Sequence, residues 1–192
     1  MPETEVLIRG AAAVVTMNAA RAEIAGGDVL IRGGVIAAVG QGLATTGAVV
    51  EAAGCVVTPG LVNTHHHLYQ TLTRAVPVGQ DALLFGWLKT LYPIWARFGP
   101  EEMFVSAQVG LAELALSGCS MTSDHLYLYP NGARLDDTIA AAGEVGLRFH
   151  PTRGAMSIGE SAGGLPPDSL VEREAAILED CICLLYTSPS PR

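Results

Sequence analysis

The three consecutive histidines at positions 65 to 67 are the side chains of this sequence best suited to bind a metal ion. They end an apolar run that is interrupted by Pro59-Gly60. Side chains alternate across a β-strand, so a strand here would carry His65 and His67 on one face and His66 on the other. Two imidazoles about 6 to 7 Å apart along a strand can chelate one ion. The sequence therefore predicts a buried strand that ends in a metal-binding pair.

His125 and His150 are the remaining histidines of the chain. His125 follows Asp124 at the end of a predicted strand, and we expect it either to contact a substrate or to pack in the wall of the fold. His150 lies in mid-strand before a proline, and we interpret it as structural. A histidine cluster can also be a polar loop without a ligand role. The cluster at residues 65–67, however, follows an apolar segment, and α/β folds concentrate catalytic side chains at strand ends.

The elements that must position these side chains alternate between helices and strands after residue 71. Apolar spacing and capping residues predict helices at residues 81–91, 99–116 and 135–145, and from residue 168 onwards. Strands are predicted at residues 120–127 and 147–154, and a Gly, Ser and Pro-rich loop at residues 155–167. This alternation is typical of a parallel sheet with crossover helices.

The first part of the chain, residues 4–58, is rich in short apolar pieces separated by glycines, which indicates a small β-sheet domain. Strands are predicted at residues 6–9, 13–16, 29–32, 35–39 and 48–51. Gly33-Gly34 is suited to a two-residue hairpin turn, because both positions can take a positive φ.

The composition limits the class of protein. The 192 residues are 49% hydrophobic and 16% charged, which is typical of a globular fold. The formal net charge of -8 argues against a nucleic-acid-binding surface. The sequence has no signal-peptide pattern and no apolar run long enough to span a membrane, so we expect a cytoplasmic protein. The four cysteines form no Cys-x-x-Cys pair and indicate neither a zinc knuckle nor a disulfide framework.

The order Pro-Gly-Leu-Val-Asn-x-His-x-His closely resembles the first barrel strand of the amidohydrolase superfamily, whose members hydrolyse C–N bonds at one or two metal ions inside a (β/α)8 barrel. The resemblance implies that His65 and His67 bind one divalent ion, with Zn2+ preferred, and that His66 lies outside the pair. It implies an α/β fold: residues 1–57 would be the amino-terminal part of a small β-sandwich domain, and residues 58–180 about the first three βα units of a partial TIM barrel. A full barrel needs about 250 residues. The other metal ligands and the proton-shuttling glutamate, and so the catalytic residues, are therefore expected beyond residue 180.

Looser motifs are similar to the aminohydrolase branch that includes 8-oxoguanine deaminase and hydroxyatrazine-type ethylaminohydrolases. They are Thr-Ser-Asp-His at residues 122–125, Arg-Gly-Ala-Met at residues 153–156 and Gly-Gly-Leu-Pro-Pro at residues 163–167. The implied function is a zinc-dependent aminohydrolase that releases ammonia from an aromatic N-heterocycle, 8-oxoguanine or a related purine. Two alternatives stay open: a hydrolase of a triazine-type or cyclic amide substrate, and a non-catalytic metal-binding fragment. The resemblance also implies a homodimer, and we expect no nucleic-acid or membrane partner.

Three further side chains are expected to contact the substrate. Gln70 can present a donor and an acceptor to a ring edge, Arg153 can donate to a ring carbonyl, and Trp87 can stack on the ring. Each has a structural alternative. Gln70 would cap the following helix, Arg153 would pair with an acid, and Trp87 would pack in the core.

The last part of the chain, residues 181–192, breaks the pattern with an apolar run and a Ser/Pro tail. We interpret it as a non-native tail, with a natural disordered terminus as the alternative. About three barrel strands would leave two open sheet edges. The sequence therefore predicts that the 192-residue chain is inactive alone and poorly soluble.

Overall fold

The fold was analysed in a computed structural model, which describes residues 4–187 of the chain. The chain divides into two compact units, one that ends at Gly60 and one that begins at Leu61. Within the described residues, no helix combines the length and the apolar character needed to cross a membrane. Residues 188–192, which hold the Ser/Pro part of the predicted non-native tail, lie outside the described residues.

The first unit is a five-stranded sheet in which β1 is central, with the order β3-β2-β1-β4 and β5 also paired to β1. Its strands are β1 Glu5–Val15, β2 Glu23–Arg32, β3 Val35–Gly40, β4 Ala48–Glu51 and β5 Val56–Val57. The predicted hairpin is confirmed, because Gly33 and Gly34 join β2 to β3 with φ of 54° and 80°. The described residues of the first unit form one sheet, and the sandwich implied by the resemblance stays a prediction.

Strand β1 differs from the prediction of two separate strands. The pairing with β2 shifts between Ile8 and Ala11, where β1 holds one residue more than its partner. Gly10, with φ of 68°, occupies this bulge, and its N–H donates to the Asp28 carboxylate at 2.8 Å. The bulge explains why one continuous strand reads as two pieces in the sequence, because it interrupts the alternation of apolar residues.

The second unit has three parallel strands in the order β6-β7-β8, with helices between them. The strands are β6 Leu61–Asn63, β7 Cys119–Leu126 and β8 Arg148–Arg153, and the helices are α1 Leu84–Trp95, α2 Pro100–Leu116, α3 Leu135–Val145 and α4 Glu174–Thr187. The parallel pairing confirms the predicted α/β class. Helices α2 and α3 pack together through a buried cluster that includes Leu68, Ala107, Leu111, Ala141 and Ala142.

Local signals account for the ends of the two helices that match their predictions. At the start of α2, Glu102 accepts a hydrogen bond from the N–H of Gly99 at 2.7 Å, and Pro100 occupies the first turn, where its missing N–H costs nothing. Helix α3 ends at Gly146, whose φ of 76° is the left-handed conformation that glycine tolerates best.

The last helix differs from its prediction. Residues Asp168–Leu170 form a 3-10 turn, and α4 begins only at Glu174. Val171 is extended, and the N–H of Glu172 donates to the carbonyl of Met156 at 2.9 Å, which holds this segment against the preceding loop. Helix α4 then continues beyond Asp180 into the apolar run of the predicted non-native tail.

Candidate metal and substrate site

The histidines follow a strand that is shorter and more exposed than predicted. Strand β6 ends at Asn63, and residues 64–67 form an irregular segment before the 3-10 helix Leu68–Thr73. Leu61 and Val62 are 60% and 61% exposed, so the prediction of a buried strand is wrong. The physical reason is that β6 lies at the edge of the described sheet and pairs only with β7.

The structure nevertheless brings two of the three histidines together. The ring centroids of His65 and His67 lie 5.0 Å apart, with the rings nearly perpendicular. With Zn–N bonds of about 2.0 to 2.1 Å at a tetrahedral angle, two ligand rings have centroids about 5 Å apart. His66 lies towards α2 instead, since a Cβ added to Gly110 would be 3.8 Å from its Cε1 atom. The His66 Nδ1 atom is buried and has no hydrogen-bond partner within the described part of the chain.

A hydrogen bond that His67 donates to β7 determines which ring nitrogen of His67 carries the proton. Its Nδ1 lies 2.8 Å from the backbone carbonyl oxygen of His125, and a carbonyl only accepts, so Nδ1 is the donor. The lone pair of the neutral ring is then on Nε2. This is the arrangement typical of metal-binding histidines, whose second nitrogen donates to a carbonyl or carboxylate.

Two backbone contacts complete the attachment of the histidine segment to β7. The N–H of His125 donates to the carbonyl of His66 at 2.8 Å, and the N–H of Leu68 donates to Asp124 Oδ1 at 2.8 Å. Asp124 is fully buried. Burial raises the pKa of its carboxyl group to about 6, and the hydrogen bond from Leu68 opposes part of that rise.

The predicted substrate residue His125 lies beside the pair. Its ring centroid is 5.5 Å from that of His67. Burial, followed by the proximity of His67 and His65, lowers the pKa of His125, and the same causes lower the pKa of His66. Both rings are therefore expected to be neutral at pH 7, which is the state in which imidazole accepts hydrogen bonds or binds metals.

Gln70 also lies at the histidines and lines a cleft of about 330 Å3 with them. Its Nε2 is 3.0 Å from the hydroxyl of Tyr69 and 3.5 Å from that of Tyr127. These bonds orient the amide, and within residues 4–187 its Oε1 atom has no hydrogen-bond partner. Gln70 therefore offers an acceptor, while its donor is already engaged.

Two residues near the histidines were not identified from the sequence. The ring of Tyr127 lies 5.3 Å from that of His67 and 5.4 Å from that of His125. Its position two residues after His125 was the available signal, because alternate residues share a face. Gly154 touches both side chains: an added Cβ would overlap His125 Nε2 and lie 2.8 Å from Tyr127 Cβ. Only glycine leaves room for the observed position of His125.

The side chains of Arg153 and Trp87 make contacts within the fold. The Arg153 side chain is 6% exposed and pairs with Glu172 at 2.6 Å and Asp180 at 2.9 Å. It follows Thr152, the register partner of His125, so strand alternation directs it to the opposite face of the sheet. Trp87 packs against Trp95 with centroids 5.4 Å apart, and among the described residues its ring contacts no histidine. Arg153 and Trp87 thus make the ion pairs and the core contact that were their structural alternatives, and their contact with a substrate stays a prediction.

The residues present fit part of a metal site. In the stretch that the structure describes, no set of three or more His, Cys, Asp or Glu side chains is arranged to hold a metal ion. A catalytic zinc ion usually takes three protein ligands and one water molecule. His65 and His67 match two of these in ring spacing, and His67 also in its proton position.

Comparison with known proteins adds three relatives. The amidohydrolase family pattern matches residues 56–181. The 8-oxoguanine deaminase of Pseudomonas aeruginosa is 46% identical in an alignment of 178 positions, which covers 90% of this chain and 39% of that protein. The hydroxydechloroatrazine ethylaminohydrolase of Pseudomonas sp. (strain ADP) is 33% identical in a gapped alignment of 205 positions, which covers 98% of this chain and 43% of that protein.

Among solved structures, the atrazine chlorohydrolase of Arthrobacter aurescens TC1, complexed with zinc, superposes with a TM-score of 0.87 at 31% identity. That comparison covers 97% of this chain and 44% of the other. The chain thus spans about two fifths of the length of the curated relatives that it matches.

Proposed function

The chain belongs to the amidohydrolase family, and on that premise we propose that the protein is a zinc-dependent aminohydrolase of an aromatic N-heterocycle. The observation that carries the proposal is the geometry of His65 and His67, with centroids 5.0 Å apart and the Nδ1 proton of His67 held by β7. In this proposal, strands β6 to β8 are the first three strands of a (β/α)8 barrel. The histidines then lie at the carboxyl end of the first strand, where barrel enzymes carry their active sites.

The proposed reaction replaces the ring amino group with oxygen. Water adds to the amino-bearing carbon, the C–N bond breaks, ammonia leaves, and the ring keeps a carbonyl group. When bound, zinc supplies Lewis-acid chemistry and lowers the pKa of water towards 7. His65 and His67 would hold the ion, and the hydrogen bond at Nδ1 would keep the Nε2 atom of His67 directed at it.

The chain's polar groups favour a substrate that donates hydrogen bonds from its ring edge. Gln70 Oε1 is available as an acceptor, and the tyrosines hold the amide in that orientation. The neutral ring of His125 would contact the substrate beside it. An oxidised purine such as 8-oxoguanine presents several ring N–H groups, which matches the 46% identical deaminase.

A triazine-type substrate is the second candidate, because the zinc-containing structural relative is an atrazine chlorohydrolase. An assay that compares the two substrate classes separates them. Ammonia release from 8-oxoguanine, measured on the gene product at its natural length, is expected to exceed amine or chloride release from hydroxytriazines and chlorotriazines. The opposite ranking would replace the purine assignment with the triazine one.

The metal site is tested separately from the substrate. We expect His65→Ala and His67→Ala each to weaken Zn2+ binding by more than the about 10- to 100-fold typical of outer-shell changes. His150→Ala is the matched control, because His150 is an exposed histidine of β8 whose side chain makes no hydrogen bond with any residue that the structure describes. Equal Zn2+ affinity in all three variants, measured by competition with a chromophoric chelator, would show that the pair is not the ligand set.

A further inference from the structure

We propose that Asp124 is a positioning residue that fixes the backbone after His67 and thereby directs the metal-binding histidines. Asp124 is fully buried on β7, and its Oδ1 accepts the N–H of Leu68 at 2.8 Å. Leu68 immediately follows His67 in the chain. The metal part of this inference rests on the proposed zinc site, whereas the attachment of the segment does not.

The histidine segment has little structure of its own. Residues 64–67 belong to no helix or strand, and β6 before them is three residues long. Segments without ladder or helical hydrogen bonds need other partners for their backbone groups. Two partners are local, since the N–H of His65 donates to Asn63 Oδ1 and the carbonyl of His67 accepts from the N–H of Gln70. The His66 carbonyl and both backbone groups of Leu68 bind elements that are distant in the sequence, so the position of the imidazoles depends on those contacts as well.

Both backbone polar groups of Leu68 form hydrogen bonds with side chains of other elements. Asp124 accepts its N–H, and the hydroxyl of Ser106, which is fully buried in α2, donates to its carbonyl oxygen at 2.7 Å. The Leu68 side chain is itself fully buried. The residue after His67 is therefore fixed between β7 and α2.

Asp124 and His125 together make three contacts with three successive residues of the segment. The His125 N–H donates to the His66 carbonyl, the His125 carbonyl accepts from His67 Nδ1, and Asp124 accepts from Leu68. Two of these contacts use the β7 backbone, which every residue type except proline supplies. The third needs a side-chain acceptor of the right length at position 124, so it alone depends on residue identity there.

The burial of Asp124 lowers the stability of the folded chain unless the carboxylate makes a contact that compensates for it. Its Oδ2 atom is buried and has no hydrogen-bond partner in the described residues. A buried carboxyl group with one oxygen unpartnered is unfavourable compared with an apolar side chain of the same size. A buried aspartate at position 124 is explained if the hydrogen bond from the Leu68 N–H is needed there.

The test compares Asp124→Ala with Thr122→Val. Thr122 is the matched control, because it is fully buried on the same face of β7 and accepts a hydrogen bond from Asn63 at the end of β6. We expect Asp124→Ala to weaken Zn2+ binding by about 10- to 100-fold, the range for loss of a group that orients a metal ligand. Thr122→Val is expected to lower stability without a comparable change in Zn2+ affinity. Equal Zn2+ affinities in the two variants would overturn the proposal.

Amide hydrogen exchange gives a second readout that needs no metal. In the unaltered chain the Leu68 amide is expected to be among the most protected of residues 61–73, and Asp124→Ala is expected to accelerate its exchange selectively. Exchange of the Leu68 amide at the rate of an exposed amide would refute the attachment, whatever the outcome for zinc. A protected Leu68 in a chain that binds no Zn2+ would instead contradict the proposed metal site and leave the attachment supported.

Asp124→Asn covers the case in which the alanine variant does not fold. Asparagine keeps an oxygen that can accept the Leu68 N–H. We expect this variant to retain the protection of Leu68 and most of the Zn2+ affinity. A folded Asp124→Asn protein with an unprotected Leu68 and unchanged Zn2+ affinity would overturn the positioning role.

Discussion

Two helical glycines allow the packing around the histidine segment to be tested with one type of substitution. Gly110 is buried in α2, and an added Cβ would lie 2.8 Å from Leu68 Cδ2 and 2.9 Å from Thr71 Oγ1. Gly143 is exposed in α3, and an added Cβ would meet no atom within 4 Å. Alanine at the two positions therefore makes the same change in backbone freedom but a different change in packing.

The expected effects have opposite signs. Alanine is favoured over glycine in a helix interior by about 0.5 to 1 kcal/mol, so Gly143→Ala should stabilise the second unit by about that amount. At Gly110 the same gain is opposed by overpacking, which costs about 1 to 3 kcal/mol. Leu68 is fully buried, so its displacement would press on the residues packed around it. The two variants should therefore differ in unfolding free energy by the steric cost alone, about 1 to 3 kcal/mol.

Urea denaturation followed by tryptophan fluorescence measures this difference. Both tryptophans of the chain, Trp87 and Trp95, belong to the second unit, so their emission reports that unit and not the first. Gly110→Ala should unfold at a lower urea concentration than the unaltered chain, and Gly143→Ala at a higher one. If Gly110→Ala were as stable as Gly143→Ala, the close approach of α2 to Leu68 would be refuted.

Two further predictions concern charged groups. Arg153→Met should destabilise the second unit by about 3 kcal/mol, which is the low end of the range for removing one partner of a buried ion pair. The low end applies because Glu172 and Asp180 keep some contact with water. A loss below about 1 kcal/mol in the same urea assay would mean that solvent screens the ion pairs as it does on an open surface. Asp28 accepts two backbone N–H groups, including that of Gly10, and these bonds lower its pKa below the usual value. Its contribution to stability is therefore complete above the unfolded pKa of about 3.9 and lost as the pH falls through the lower folded pKa. Amide exchange at Gly10 should therefore accelerate as the pH falls in the unaltered chain, and Asp28→Asn should remove the part of this pH dependence that comes from Asp28. Parallel pH profiles of Gly10 exchange in the unaltered chain and in Asp28→Asn would contradict the role given to Asp28.

The parts of the fold that could be predicted are those whose signals are local. Helix α3 has the predicted bounds because two acids lie in its first turn and a glycine ends it. The parallel order of the second unit follows from the alternation of strands and helices. The start of α4 could not be predicted, because a contact between Glu172 and Met156 in the preceding loop decides it.

In the candidate site, too, features with a local signal could be predicted, whereas features that depend on distant residues could not. The pairing of His65 with His67 was predicted from their spacing, although an irregular segment and not a strand carries them. Arg153 was assigned to the substrate because a lone arginine at a strand end does not reveal its partners. Its acids are 19 and 27 residues further along the chain, and only the folded structure brings them to it.

The site is organised from the second strand of the sheet more than from the strand that precedes the histidines. Strand β6 contributes two exposed side chains and Asn63, whose Oδ1 accepts the N–H of His65 at 3.4 Å. Strand β7 supplies the carbonyl that orients His67, the N–H that binds His66 and the carboxylate that binds Leu68. A metal ligand must be held closely to its productive geometry. It follows that substitution of Asp124 on β7, which touches no metal, should alter metal affinity more than conservative changes of Leu61 or Val62 within β6.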